Sequence, residues 1–163
     1  MQLLDILTPR RVDVAREHGA GASVPIRTKP DAIRRLAELL VEGQGDLDPS
    51  EVEAELRKRE DLQSTGVGGG VAIPHAKLER LDRILGAVLL CPDPIGFDAI
   101  DNKPVSILFA VIGPQKAPGE HIKTLARVSR LLRDDGFRAR LVGAESGAVA
   151  FDLIAREESR PQP

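Results

Sequence analysis

The order of patterns along this chain predicts an α/β fold, a β-sheet covered by helices, and three observations carry that expectation. Apolar residues return at helical spacing in residues 31–41, 121–134 and 147–157. Two β-rich apolar runs, residues 84–91 and 105–112, have the length and composition of strands buried on both faces. Helical and extended stretches are interleaved, which favours a helix-covered sheet over a bundle or a sandwich. The chain has 163 residues, 42 % hydrophobic and 29 % charged. That is one domain of ordinary globular composition and excludes wholesale disorder.

From the N-terminus, residues 12–14 and 24–26 are short strand candidates flanking a Gly/Ala-rich loop at 15–23 that holds His18. Ile33, Leu36, Ala37, Leu40 and Val41 form the stripe of a first helix, with Thr28 and Asp31 as start signals and Gly43 as stop. Asp48–Pro49–Ser50–Glu51 opens a second helix: Asp48 caps, Pro49 suits the first helical position and Glu51 stands where a capping box needs it. Its inward face is Val52 and Leu56, continuing at i+7 to Arg59. Ser64 to Gly70 is a glycine-rich loop, and residues 71–75 are a short extended piece, because Pro74 forbids a helix interior and biases Ile73 to β. The 84–91 strand is bounded by Pro92–Asp93–Pro94, the 105–112 strand by Gly113–Pro114, and a polar turn fills 96–104. In the 121–134 helix, Ile122, Leu125, Val128, Ser129 and Leu132 share the inward face, and Asp135–Gly136 ends it. The last helix turns Val149, Ala150, Leu153 and Ile154 inward, and residues 158–163 are expected to form a disordered tail.

Composition removes several classes of function. A formal charge of −2 leaves no electrostatic footprint for nucleic acid or anionic lipid. Four Phe and no Trp or Tyr exclude stacking platforms for bases. The apolar runs are too short to span a membrane, and the first residues lack the pattern of a signal peptide. The one cysteine, Cys91, reads as a small core residue and suits a reducing, cytoplasmic setting. No metal is expected, since neither a Cys pair nor HxxxH spacing occurs. The glycine-rich loop lacks GxxxxGK[ST], a GxGxxG register and a preceding strand, so no nucleotide cofactor is expected. Ser64 stands in no GxSxG elbow.

Three histidines remain. His18, in its loop, reads as solvated. His75 could stand at a strand end. His121 opens a helix, where the positive end of the dipole disfavours imidazolium and stabilises an anion. Arg59 either snorkels from the apolar stripe to water or waits for an anion that fits its fork. Residue chemistry alone therefore gives an α/β domain with a possible anion site of His75, His121 and Arg59.

Arg59–Glu60, Ser64–Thr65–Gly66–Val67–Gly68 and Val71–Ala72–Ile73–Pro74–His75–Ala76–Lys77 together resemble the signature of the enzyme IIA proteins of the phosphoenolpyruvate-dependent phosphotransferase system, fructose/mannitol class. Phe97–Asp98–Ala99–Ile100–Asp101–Asn102–Lys103–Pro104–Val105 with Leu108–Phe109–Ala110 is similar to the nitrogen-regulatory branch, and His121–Ile122–Lys123–Thr124–Leu125 to the helix carrying the family's second histidine. The resemblance implies a mixed central sheet flanked by helices, with an enzyme IIA type 2-like domain over residues 1–157. It implies a phosphocarrier, a phosphotransferase component without cofactor or metal. His75 would accept the phosphoryl group, as tele-phosphohistidine, from an HPr-type carrier or its nitrogen-branch paralogue. His121 and Arg59 would stabilise that group, with Ser64 and Thr65 as secondary donors. Residues 12–26 exceed the family's usual first strand and connection, a difference expected to bear on partner contacts rather than on phosphorylation.

Three functions follow from this reading. A nitrogen-type regulator would bind target proteins according to the state of His75. A sugar-transport subunit would pass the group to a IIB domain for fructose or mannitol. An interaction module would keep the fold without the chemistry, which joint retention of His75, His121 and Arg59 argues against. The absence of a fused membrane, relay or sugar-specific segment favours the regulator.

Overall fold

The computed structural model describes residues 2–15 and 25–161. His18, most of the 15–23 loop and Val24 lie outside the described residues; Pro25 and Ile26 are in no strand. A six-stranded mixed sheet is built from β1 (Val12–Val14), β2 (Gly66–Gly68), β3 (Val71–Ala72), β4 (His75–Leu78), β5 (Leu85–Ile95) and β6 (Val105–Pro114). The order is β1-β5-β6-β3-β2, and β4 also pairs with β6. β5 and β6 form the antiparallel centre, with Leu89 opposite Leu108. β1 runs parallel to β5, and β3 and β4 follow one another along β6, both parallel to it. Ile73 and Pro74 separate them, so the extended piece expected at 71–75 is two strands with a break at the proline.

Helices cover both faces. On one side, α1 (Lys29–Leu40) and α2 (Pro49–Leu62) pack on Ala76, Leu78, Ala87, Leu89, Leu108, Ala110 and Ile112. On the other, α3 (Pro118–Leu131), α4 (Asp135–Val142) and α5 (Gly147–Ser159) pack on Ile73, Val88, Leu90, Ile107, Phe109 and Val111. Successive residues of β5 and β6 thus enter opposite cores, which is why both strands are apolar without alternation. Cys91 is buried in the α1/α2 core, and burial pushes its thiol up to about 12.

Several boundaries differ from the sequence expectation. The glycine-rich loop is an antiparallel hairpin of β2 and β3, turned by Gly68, Gly69 and Gly70 at φ 99°, 67° and 80°. Only glycine adopts three such angles in succession without strain. β5 runs past Pro92 and Pro94 to Ile95, because that stretch bulges out of register and its prolines are exposed, with no ladder bond to lose. Asp135–Gly136 does not end α3 in a turn; Asp134 accepts from the Phe137 amide at 2.8 Å and opens α4, which buries Phe137 and Leu141. α5 is capped by Ser146, and Val149, expected inward, is exposed; Ala150 and Ile154 carry the contact. Of the tail expected at 158–163, Glu158 and Ser159 belong to α5, and residues 162 and 163 lie outside the described residues. The Glu158 carboxylate accepts from the Leu3 amide at 2.7 Å and the Leu4 amide at 3.2 Å, which ties the end of α5 to the start of the chain.

Candidate active site

β4 presents His75 and Lys77 to the α3 side while Ala76 and Leu78 enter the opposite core. The inward face of α3 is His121, Thr124 and Val128. Of the expected stripe, Val128 and Leu132 are buried and Leu125 packs against the same core, but Ile122 is 64 % exposed, and His121 is only 2 % exposed. The helix begins three residues before His121, at Pro118, so the histidine lies inside the first turns. Gly113 on β6 admits the ring; a Cβ there would stand 3.1 Å from His121 Nδ1. The His75 and His121 rings lie 5.7 Å apart between centroids, tilted by 54°.

The His75 Nδ1 is 2.8 Å from the Ile73 carbonyl oxygen. A carbonyl only accepts, so Nδ1 carries the proton and the lone pair is on Nε2. Burial, followed by the positive charges of Arg59 and Lys77, lowers the His75 pKa below 6.5, against opposing contributions from the Ile73 bond and Glu60. Burial also brings His121 down to about 4, with His75 and Lys77 adding to the shift. Both rings are therefore neutral at pH 7. Neither nitrogen of His121 has a hydrogen-bond partner among the described residues, an unfavourable condition for buried polar atoms.

Arg59 is half-buried rather than inward. The stripe of α2 is Val52, Leu56 and Glu60. Arg59 stands beside it, donates from Nη1 to the Gln63 carbonyl at 2.8 Å, and is near enough to act on the charge of His75. Ser64 donates to the Phe97 carbonyl at 2.8 Å and accepts from the Gly66 amide at 3.1 Å. The Thr65 hydroxyl donates to Glu60 at 2.5 Å. Both hydroxyl protons expected to serve a ligand are taken by acceptors outside the loop, the Phe97 carbonyl and the Glu60 carboxylate.

Glu60 does not stand out as a site residue in the sequence, although i+8 from Val52 places it inward. Its carboxylate also accepts the Thr65 amide and pairs with Lys29 Nζ at 2.9 Å. The 96–104 segment clamps the hairpin: Ile100 N–H donates to the Gly66 carbonyl, and Asp101 accepts the Gly69 amide at 3.1 Å. Asp98 and Asn102 hold this turn with positive φ. The arrangement is a neutral imidazole with one free nitrogen, a second buried imidazole beside it, and nearby cations, chemistry suited to receiving an anionic electrophile.

The family model described as "Phosphoenolpyruvate-dependent sugar phosphotransferase system, EIIA 2" matches residues 21–157. A nitrogen regulatory protein of Bradyrhizobium diazoefficiens is 32 % identical over 155 residues, 95 % of each chain. A PTS system fructose-specific EIIA component of Haloferax volcanii is 36 % identical over 132 residues, covering 80 % of this chain and 85 % of that one. The crystal structure of nitrogen regulatory protein IIA-Ntr from Neisseria meningitidis superposes with a TM-score of 0.81 at 29 % identity, covering 93 % of this chain and 98 % of the other.

Proposed function

The chain belongs to the EIIA 2 family of the phosphoenolpyruvate-dependent sugar phosphotransferase system, and from that premise we propose that it is a nitrogen-type phosphocarrier acting through His75. The observation that carries this reading is the Nδ1 bond to the Ile73 carbonyl, which leaves Nε2 as the nucleophile. The Nε2 lone pair attacks phosphorus of a phosphohistidine on an HPr-type carrier. The new N–P bond forms as the donor's N–P bond breaks, and its electron pair returns to the donor imidazole. Catalysis here is positioning and charge. The depressed pKa of His75 keeps the attacking nitrogen unprotonated. A ring N–H of His121, otherwise without a partner among the described residues, donates to a phosphoryl oxygen, and Arg59 and Lys77 offset the charge acquired. Phosphorylated and free forms then present different surfaces to regulatory targets in the cytoplasm.

A second reading, a sugar-transport subunit passing the group to a IIB domain, is favoured by the likeness to the fructose-specific component. Incubation with phosphoenolpyruvate, enzyme I and a carrier should add one phosphoryl group, an acid-labile gain of about 80 Da, to wild type and none to His75→Ala. Labelling of the substituted chain would move the nucleophile elsewhere. Rapid onward transfer to a fructose or mannitol IIB domain would favour the transport reading.

A further inference from the structure

A buried carboxylate outside the reacting pair is bonded through the loop to the nucleophile's own acceptor. The Glu60 side chain is 3 % exposed and pairs with Lys29 Nζ at 2.9 Å. It accepts the Thr65 amide at 3.0 Å on each oxygen and the Thr65 hydroxyl at 2.5 Å. The Thr65 carbonyl accepts the Ile73 amide at 3.0 Å. The Ile73 carbonyl accepts His75 Nδ1 at 2.8 Å. An unbroken path thus leads from the start of α1 across the end of α2 to the imidazole. Lys29 is itself fixed by Asp98 at 3.3 Å and by the Phe97 ring, 4.8 Å from its centroid.

We infer that Glu60 is a positioning residue for His75, holding the Thr65–Ile73 connection so that the Ile73 carbonyl fixes the imidazole with its proton on Nδ1 and its lone pair on Nε2. A buried ion pair adds little stability over an apolar pair of the same shape. What an apolar pair cannot do is accept two Thr65 donors and hold that backbone at one distance from β3. An orienting acceptor on the far nitrogen of a functional histidine is how tautomer and ring angle are set.

The role in transfer rests on the phosphocarrier reading; the effect on the imidazole does not, and the test separates them. Imidazole ¹⁵N signals and the initial rate of phosphoryl acceptance are measured for wild type, Glu60→Gln, Thr65→Val and Thr65→Ser. Glu60→Gln places an amide N–H₂ against donors, so the His75 signals should move toward mixed tautomers. Acceptance should slow about tenfold or more, the range seen when a histidine loses its orienting partner. Thr65→Val should shift the signals in the same direction by less, and Thr65→Ser should match wild type. His121, which this path does not reach, is the internal control. A wild-type His75 tautomer in Glu60→Gln overturns the inference, as do equal shifts at both histidines with a lowered melting temperature. If Glu60→Gln does not fold, unchanged His75 signals in folded Thr65→Val overturn it. A wild-type chain that accepts no phosphoryl group sinks the phosphocarrier reading, and the imidazole signals alone then decide this one.

Discussion

In the proposed function, the reactivity of His75 is set by what the other ring nitrogen does and by which charges surround it. Arg59 has a partner in the free protein, the Gln63 carbonyl, so its head is held at the end of α2 without an anion. Arg59→Lys retains the charge and loses the fork; Arg59→Ala loses both. Lifetime of the phosphohistidine and transfer rate should fall in the order wild type, Lys, Ala, and wild-type rates in both variants would remove Arg59 from the site. His121→Ala removes one donor of several. By comparison with single oxyanion-hole donors, the loss in transfer should reach about 2.7–4 kcal/mol at most, read from single-turnover rates in both directions. His75 and Arg59 are legible as candidates because they flank a glycine-rich loop, and His121 because it stands near the start of a helix. Glu60 is not. It adjoins Arg59 in the signature without a role of its own, and only the helix phase places it inside.

At the scale of elements, phase and capping account for most of what the sequence hides. In α2 the stripe continues from Leu56 to Glu60 instead of Arg59, and in α3 His121 and Thr124 join Val128 and Leu132 inward while Ile122 is exposed. A stripe chosen by hydrophobicity alone cannot include a buried histidine or glutamate. α4 is masked because Asp–Gly is a strong turn signal, yet Asp134 serves as an N-cap and Gly136 fits the first turn. Asp134→Ala should cost about 1 kcal/mol, the usual loss of a capping side chain, measured by urea unfolding. Gly147 starts α5 against β1, where an added Cβ would overlap the Val12 carbonyl oxygen. Gly147→Ala forces backbone apart and should destabilise by about 1–3 kcal/mol; a neutral result would mean that α5 approaches β1 less closely. The two central strands are legible because burial on both faces leaves continuous apolar runs. The glycine hairpin is not, since its strands are two and three residues long and one is mostly glycine.

Across the whole molecule, a sheet buried on both sides couples the site to stability, because the second histidine is part of the core beneath α3. His121 is brought from 6.5 to about 4 in the folded protein, mainly by burial. As pH falls, the unfolded chain takes up this proton first, and stability drops wherever the unfolded state binds more protons than the native one. Above 6.5 the ring is neutral in both states and contributes nothing to the slope. From there down to about 4 the loss grows to roughly 3 kcal/mol, because every pH unit between the unfolded and folded pKa values costs about 1.36 kcal/mol. His75 is displaced in the same direction and adds to it. Carboxylates such as Asp31 and Asp101 are held below 3.8, so the bulk of their losses comes at lower pH, beneath this window. Urea midpoints should therefore hold nearly level for wild type from pH 7.5 to about 6.5 and decline from there to 4.5, while His121→Gln, which cannot titrate, should show a much shallower decline. Equal slopes for the two chains would mean that His121 takes up its proton inside the fold at the same pH as it does outside, and the buried neutral imidazole beside His75 would have to be given up.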